Sequence, residues 1–433
     1  MIEQHSHPDW SFTANIYEVN VRQYTAEGTF ESFTKNLPRL QQMGVEILWF
    51  MPITPISLKD RKGTLGSYYA VQNYTEVNPE FGSIKEFINL VETAHNFGFK
   101  VIIDWVANHT GNDNIWIDLH PDFFVYHHGS DQIVHPHGWE DVSKLNFENN
   151  DMQDAMIEAM KFWVTTADID GFRCDMAHLV PLEFWIKTKD ELDKTKPHLF
   201  WLAECEEVDY HRVFDATYTW QWMHKTEQFF KHNENVDGLV NLLTYYDLSF
   251  PKDAFRVYFT SNHDENSWNG TEYEKYGGAA KLLSVFSCTW NGIPMIYSGQ
   301  ELPNYKRLKF FDKDKIEWTA NCQLHDFYKT LFRLRKTNNA LRAGDSSIVT
   351  SKLSTNHDDK IFAFSRSSQE QAVLVILNFS PKAINVELRN IRGVFRNIFS
   401  EEYISTSINS ILQVEAWGYY VFRGKVSRDD HYH

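Results

Sequence analysis

The 433 residues include 58 Asp or Glu and 42 Lys or Arg, which gives a formal charge of −16. An acidic surface is repelled by nucleic-acid phosphates and by anionic membranes, so the charge argues against both as partners. The length exceeds that of one compact core and predicts two or three domains, and no apolar run is long enough to span a bilayer.

The amino-terminal part of the chain, residues 13–110, alternates strand-like and helix-like patterns. Helical spacing of apolar residues follows the first strand, and Ser83 with Glu86 predicts a capping box at the start of a helix that Gly98 ends. Alternation of this kind predicts a parallel sheet covered by helices. The predicted strands are 15–21, 46–50 and 100–104.

The alternation lapses between residues 111 and 150, which are rich in His, Asp, Asn, Gly and Pro. The segment is too long for an ordinary loop, so we expect a small subdomain inserted after the third strand. Its loosely spaced histidines have no acid or cysteine at a standard ligand spacing, and we expect solvated loop residues rather than a zinc site. These histidines are His127, His128, His135 and His137.

Regular alternation resumes over residues 151–342, with a sixth strand predicted at 213–217. Eight strands can be placed, which predicts a (β/α)8 TIM barrel formed by residues 1–110 and 151–342. From residue 343 the pattern has a period of two and no helix-length stretch, so 343–424 are predicted to form a C-terminal antiparallel β-sandwich. The polar tail, 425–433, is expected to be disordered.

Four acids follow apolar strand-like runs: Asp104, Asp175, Glu204 and Asp264. One such acid alone is most simply the cap of the next helix. All four together, each with polar or basic neighbours, favour one site at the carboxyl ends of barrel strands. Their separations of 71, 29 and 60 residues are close to two, one and two βα repeats.

The residues around two of these acids predict different protonation states. Arg173 and Asp175 lie on the same face of a strand, and a neighbouring guanidinium favours an ionised carboxylate. Glu204 lies in the apolar run Trp201–Cys205, a setting that favours the protonated acid near neutral pH. A retaining glycosidase needs one carboxylate and one acid arranged in this way.

The chain resembles the α-amylase family of glycoside hydrolases in the order and content of its motifs. The resemblance implies that Asp175 is the nucleophile, Glu204 the acid/base and Asp264 the acid that holds hydroxyls of the reacting sugar. The matching stretches are 67–74, 104–109, 171–175, 203–204, 259–264 and 292–301.

The same resemblance implies roles in substrate binding for four other residues. Tyr69 would stack under the reacting sugar, and Arg173 would orient the nucleophile. His109 and His263 would hydrogen-bond hydroxyls of that sugar. The expected substrate is an α-glucan or malto-oligosaccharide.

Two positions depart from the family pattern. Many members place a lysine-histidine pair after the nucleophile, whereas this chain has Met176-Ala177-His178, so His178 either contacts the leaving-group sugars or is a polar rim residue. Many members also bind a structural calcium through the residue matching Asn108 and an acid in the insert. Lys144 falls where that acid is expected, so we expect no calcium and no other cofactor.

The motifs indicate a retaining enzyme that cleaves α-1,4-glucosidic bonds, with α-amylase action as the first hypothesis. A maltogenic enzyme, an α-glucosidase and a glucanotransferase share the same catalytic residues and stay open as alternatives. A catalytically inactive sugar-binding subunit is a remote alternative because all the acids are present. Four scattered cysteines and the lack of a visible signal peptide lead us to expect a cytoplasmic protein.

Overall fold

The computed structural model describes residues 6–232, 234–389, 393–406 and 411–425. Eight parallel strands close into a barrel in which the first strand pairs with both the second and the eighth. This confirms the predicted TIM barrel. The strands are Ile16–Val19, Ile47–Phe50, Lys100–Trp105, Gly171–Cys174, Phe200–Ala203, Ala216–Tyr218, Phe255–Tyr258 and Ile293–Tyr297.

Alternate residues of each strand point into and out of the barrel, because successive side chains of a strand lie on opposite faces. An apolar cluster fills the barrel, with Ile16, Trp49 and Leu202 among its members. The inward positions continue to the carboxyl ends of the strands, where they are polar: Glu18 lies two residues after Ile16, and Glu204 two residues after Leu202. The fold therefore places charged side chains at the carboxyl ends of the strands, next to the apolar cluster that fills the barrel.

Helices surround the barrel, and the predicted capping box of Ser83 with Glu86 is present at the start of Ile84–Asn96. The remaining α-helices are Val21–Tyr24, Phe30–Thr34, Leu37–Met43, Ile115–Leu119, Asn150–Ala167, Leu182–Asp193, Trp220–His232, Asp237–Ser249, Glu272–Tyr276, Ala280–Thr289 and His325–Thr337. Short 3-10 turns lie at Asp9–Thr13, Pro121–Phe123, Pro136–Gly138, Ala177–Leu179, Val208–Arg212, Gly277–Ala279 and Asn339–Leu341, and a π-helical turn at Glu265–Asn269.

Two details of the predicted barrel are wrong. The sixth strand is Ala216–Tyr218 rather than 213–217, since Asp215 lies in the turn that precedes it. The 71 residues from Asp104 to Asp175 span one repeat and not two, because the third and fourth strands are direct neighbours. The additional residues of that repeat form the insert.

The insert contains two short antiparallel strands, His109–Gly111 and Val142–Lys144. Its remaining residues form turns and the short helix Ile115–Leu119. The pairing holds His109 directly opposite Lys144, so the insert is anchored beside the carboxyl end of the third barrel strand.

The carboxyl-terminal part is the predicted antiparallel sandwich. A six-stranded sheet faces a two-stranded one, with an apolar cluster that includes Leu374, Val386 and Phe395 between them. The sheet order is Val349–Leu353, Ile361–Ser367, Ala372–Asn378, Tyr419–Gly424, Gly393–Asn397 and Tyr403–Thr406, and the smaller sheet pairs Ile384–Glu387 with Ile411–Val414.

The limits of the domains stay predictions. The sandwich begins close to the predicted boundary at residue 343, and the expected polar tail lies, except for Lys425, outside the described residues. In the part of the chain that the structure describes, the helices lack the combined length and apolarity needed to cross a bilayer.

Candidate active site

A single buried guanidinium, that of Arg173, joins three acids at the carboxyl ends of the third, fourth and fifth strands. Its Nη1 donates to Asp104 Oδ1 at 2.9 Å and to Asp175 Oδ1 at 3.0 Å. Its Nη2 lies 2.9 Å from Glu204 Oε2, as an ion pair. The fourth and fifth strands lie close together at Gly171, because a Cβ at this position would be only 1.9 Å from the backbone oxygen of Phe200 on the fifth strand.

Burial dominates the titration of the three acids. It raises the pKa of Asp104 and of Asp175 to about 6 and that of Glu204 to about 7, while the charge of Arg173 acts in the opposite direction. The predicted effect of Arg173 is present, because its charge lowers the pKa of Asp175, but burial and the charge of Asp104 outweigh it. The order of the two groups is nevertheless the one a retaining mechanism needs, because Asp175 ionises before Glu204.

The setting of Glu204 is less apolar than its sequence neighbours indicate. Its Oε2 accepts a hydrogen bond from the backbone N–H of Met176 at 2.9 Å, in addition to the ion pair with Arg173. The backbone bond lowers the pKa of the Glu204 carboxyl, and the nearby charge of Asp175 raises it. The raised value thus comes from burial first and from a like charge second.

Asp264 and His263 form a charged pair after the seventh strand. His263 Nε2 lies 3.3 Å from Asp264 Oδ2. The Asp264 side chain is 41% exposed. Partial desolvation disfavours its ionisation, but the charges of His263 and Arg173 outweigh this effect and lower its pKa. Burial also opposes the charge on His263, yet the charges of Asp264 and Glu18 hold its pKa well above the ordinary value. Asp264 is therefore ionised, and His263 is a cation.

Tyr69 connects the two halves of the site. Its hydroxyl donates to Asp104 Oδ2 at 3.0 Å and lies 2.8 Å from His263 Nε2. Its ring is stacked against the imidazole of His263, with centroids 5.4 Å apart and planes inclined by 22°. The structure thus brings Tyr69 into the same cluster as the acids.

The other two predicted histidines have different surroundings. His109 is buried, with its Nδ1 3.1 Å from Asn108 Nδ2, and burial lowers its pKa to about 4. It is therefore neutral at physiological pH. His178 is exposed and lies in the 3-10 turn Ala177–Leu179, which begins two residues after Asp175, and its role stays a prediction.

Three site residues were missed in the sequence: Glu18, Trp49 and Tyr218. Glu18, on the first strand, is fully buried and accepts a hydrogen bond from His263 Nδ1 at 2.5 Å. Trp49 donates from its indole to Asp104 at 3.2 Å, and Tyr218 accepts from Arg173 Nε at 3.3 Å. An acid inside an otherwise apolar strand was the available signal for Glu18.

The expected absence of calcium stays a prediction, and the surroundings of Asn108 bear on it. Calcium takes six to eight oxygen ligands, mostly carboxylates and carbonyls. Lys144 is exposed and lies opposite His109, and the Asn108 amide nitrogen faces that histidine. No group of three or more His, Cys, Asp or Glu side chains that could hold a metal ion occurs within the described ranges.

Comparison with known proteins agrees with this geometry. The family model for the α-amylase catalytic domain matches residues 14–142 and 125–320, and that for the maltogenic amylase C-terminal domain matches 352–421. Alpha-amylase 2 of Dictyoglomus thermophilum is 25% identical over 94% of this chain and 76% of its own length. A cyclomaltodextrinase from a Bacillus species is 24% identical over 81% of this chain and 65% of its own length.

A solved structure extends the similarity to nearly the whole chain. The maltogenic α-amylase AmyB from Thermotoga neapolitana superposes with a TM-score of 0.88 and 26% identity, over 96% of this chain and 99% of that one. The barrel, its clustered carboxyl groups and these matches define a glycoside hydrolase. More specifically, the chain belongs to the α-amylase family, which confirms the resemblance of its motifs.

Proposed function

We propose that this enzyme hydrolyses α-1,4-glucosidic bonds in starch-like glucans or malto-oligosaccharides, with retention of configuration. The observation that carries the proposal is the contact of Arg173 with both Asp175 and Glu204, whose pKa values of about 6 and about 7 differ in the required order. Relatives named as α-amylase and cyclomaltodextrinase support the substrate class.

In the first step Glu204 transfers its proton to the glycosidic oxygen while a carboxylate oxygen of Asp175 attacks the anomeric carbon. The bond from that carbon to the leaving oxygen breaks, and a glycosyl ester of Asp175 forms. The fixed charge of Arg173 lies beside the attacking carboxylate and orients it before the reaction.

In the second step water attacks the anomeric carbon of the ester, and ionised Glu204 accepts the proton of the water. The carbon–oxygen bond to Asp175 breaks, which restores both carboxyl groups to their starting states. Two successive inversions at one carbon give net retention.

The reacting sugar is held, in this proposal, by the residues around the two acids. Ionised Asp264 and cationic His263 are suited to accept from and donate to ring hydroxyls, and neutral His109 can do either. The Tyr69 ring supplies an apolar face beside them. Hydrogen bonds of this kind strengthen as the ring distorts toward the transition state.

Substitution Asp175→Asn tests the proposal, with Asp209→Asn as the matched control on an exposed position. We expect the first variant to lose turnover of soluble starch with an unchanged circular dichroism spectrum, and the second to keep it. Substantial activity in Asp175→Asn would remove Asp175 from the nucleophile role.

A maltogenic enzyme is the second candidate. The match of residues 352–421 to the maltogenic amylase C-terminal domain and the similarity to a maltogenic α-amylase structure favour it. A product time course distinguishes the alternatives. Mixed oligosaccharides with rapid loss of iodine staining indicate α-amylase action, and maltose as the sole early product indicates the maltogenic enzyme. Glucose as the sole early product from starch indicates an α-glucosidase, and products longer than the maltotriose supplied indicate a glucanotransferase.

We also propose a cytoplasmic location. All four cysteines are free, and three of them are buried, which suits a reducing compartment. Cell fractionation with an antibody against the chain tests this, and recovery in the extracellular fraction would contradict it.

A further inference from the structure

We propose that a groove between the last barrel helix and the sandwich binds the phosphate group of a phosphorylated sugar, at a site separate from the candidate active site. The groove has a volume of about 430 Å³, which is in the range of small-molecule binding sites. It is called the anion groove below, and the charged residues that line it are Asp326, Lys329, Arg333, Arg396, Glu401 and Arg423.

The anion groove lies outside the catalytic face of the barrel. One of its walls is the helix His325–Thr337, and the other belongs to the sandwich. Arg335 of this helix donates to the backbone oxygens of Ala14 and Gly292, at 2.9 and 2.6 Å, and these two residues precede the first and eighth strands. The helix therefore ends at the amino ends of the strands, opposite the carboxyl ends that carry the catalytic acids.

Two pairs of like charges line the two walls. Arg396 and Arg423 lie directly opposite each other on neighbouring antiparallel strands of the sandwich. Lys329 and Arg333 lie one turn apart on the helix. Like charges in either arrangement repel each other and destabilise the fold. An anion bound between the walls would relieve both repulsions.

Acids of the protein do not neutralise most of these cations. Within the described ranges, the side chains of Lys329, Arg333 and Arg423 make no ion pair and no hydrogen bond. Arg396 pairs with Glu401, but its Nε is buried and has no hydrogen-bond partner among the described residues. A buried donor without a partner costs free energy, and an oxygen of a bound anion would accept from it.

The mixture of charges selects the kind of anion. Three of the four cations are arginines, whose planar guanidinium groups match the oxygens of a phosphate. The carboxylates of Asp326 and Glu401 would repel the further phosphates of a polyanion, but they can accept hydrogen bonds from hydroxyl groups. The anion groove therefore suits a single phosphate on a molecule that carries hydroxyl groups, which describes a sugar phosphate.

Aromatic packing fixes the two walls relative to each other. The Phe327 ring of the helix is stacked on Phe399 of the sandwich, with centroids 5.7 Å apart and planes inclined by 10°. The ring of Tyr419 lies 5.6 Å from that of Phe399 and 6.0 Å from that of Phe327. The anion groove is thus preformed, and little ordering of the protein is needed on binding.

Calorimetric titration of the full chain with glucose 6-phosphate tests the inference. This probe has no glycosidic bond, so the candidate active site cannot cleave it, and the result does not depend on the proposed hydrolysis. The variant is Arg333→Gln/Arg423→Gln, in which both substituted side chains are exposed. We expect its affinity to fall by about tenfold for each arginine removed, the scale of one charge-assisted hydrogen bond.

The double variant Lys85→Gln/Arg212→Gln is the matched control, because it removes the same charge from exposed positions outside the anion groove. Its affinity for glucose 6-phosphate should equal that of the wild type. No binding by the wild type overturns the inference. Equal affinity in the wild type and in Arg333→Gln/Arg423→Gln also overturns it, because the sugar would then bind elsewhere.

A second comparison tests the contact with the sugar hydroxyls. The measured quantity is the affinity for glucose 6-phosphate divided by that for inorganic phosphate. This ratio should exceed one in the wild type and fall in Asp326→Asn, which keeps the size of the side chain but loses the charge that favours a hydroxyl donor. A wild-type ratio of one, or a ratio that Asp326→Asn leaves unchanged, would overturn the assignment of a sugar phosphate.

Discussion

Glu18 of the first barrel strand accepts a hydrogen bond from His263 Nδ1 at 2.5 Å, and both side chains are buried. The contacts continue from His263 to the Tyr69 hydroxyl and from there to Asp104. Asp104 shares the Arg173 guanidinium with the nucleophile position. An acid remote in sequence is thus connected to the reacting centre by charge and by hydrogen bonds.

Substitution Glu18→Gln should lower the pKa of His263, because it removes one of the two negative charges that raise it. Loss of a carboxylate in direct contact changes a pKa by about 1–3 units. Nuclear magnetic resonance of the imidazole nitrogens across the pH range measures the shift. The exposed Glu31, changed to Gln, is the control and should leave the His263 titration unaltered.

The same variant separates a positioning role of Glu18 from a purely structural one. The variant should lose the imidazolium at a lower pH than the wild type does. Its kcat/KM on maltotriose, divided by the wild-type value at the same pH, should therefore fall as the pH is raised and recover as the pH is lowered. A rate loss that is equal at every pH, with an unshifted His263 titration, would contradict the positioning role.

The alternation of strand-like and helix-like stretches was sufficient to predict the barrel. The acids that follow apolar strands were sufficient to predict most of the candidate site. Acids at the ends of apolar strands must meet at one face of a parallel barrel, whichever strands carry them. The two-residue period of a strand also predicted that Arg173 and Asp175 lie on the same face. In the structure Arg173 Nη1 lies 3.0 Å from Asp175 Oδ1. These features depend only on neighbours in the chain.

The parts that could not be predicted depend on residues distant in the chain. The pKa of Asp175 is set by burial and by Asp104 as well as by Arg173, and neither burial nor a carboxylate on another strand is visible in its own motif. The contact of Trp268 with Phe310 joins two loops whose conformations local propensities do not determine. Such long-range contacts need the folded chain.

The wild-type enzyme should have a narrow optimum between about pH 6 and pH 7. Burial raises the pKa of Asp175 to about 6, so below that value the nucleophile is protonated and the rate falls. Burial raises the pKa of Glu204 to about 7, so above that value the general acid is lost. The pH profile of kcat/KM on maltotriose measures both the fall in rate at low pH and the fall in rate at high pH. A plateau from pH 4 to pH 9 would contradict these raised values.

Substitution Glu204→Gln should remove the general acid while leaving the hydrogen bond from Met176 in place. We expect starch hydrolysis to fall by about 10²–10⁴-fold. An activated p-nitrophenol leaving group needs less protonation, so its release in the first turnover should be impaired far less. The exposed Glu207, changed to Gln, is the control. Equal losses with both leaving groups would contradict the acid role.

The contact between barrel and sandwich predicts a stability effect away from the site. Phe364 of the six-stranded sheet is fully buried, and its ring lies 4.8 Å from that of Trp290 of the barrel. Phe364→Ala should reduce the free energy of unfolding by about 3–5 kcal/mol. Urea unfolding measures it, with Val394→Ala, at a 60% exposed position of the same sheet, as the control. Equal midpoints of urea unfolding for the two variants would contradict a core shared by the barrel and the sandwich.

Stability should not depend on calcium, because Lys144 stands beside Asn108 where family members use an acid. Lys144 supplies an ammonium group rather than a carboxylate oxygen there, so we expect chelation with EDTA to leave the melting temperature and the activity unchanged. Addition of calcium should not raise the melting temperature, since a ligand stabilises a protein only where it binds the folded state. Lys144→Asp supplies one missing carboxylate and should be the more calcium-responsive protein. A fall in the wild-type melting temperature on chelation, with stoichiometric calcium released, would show the proposal to be wrong.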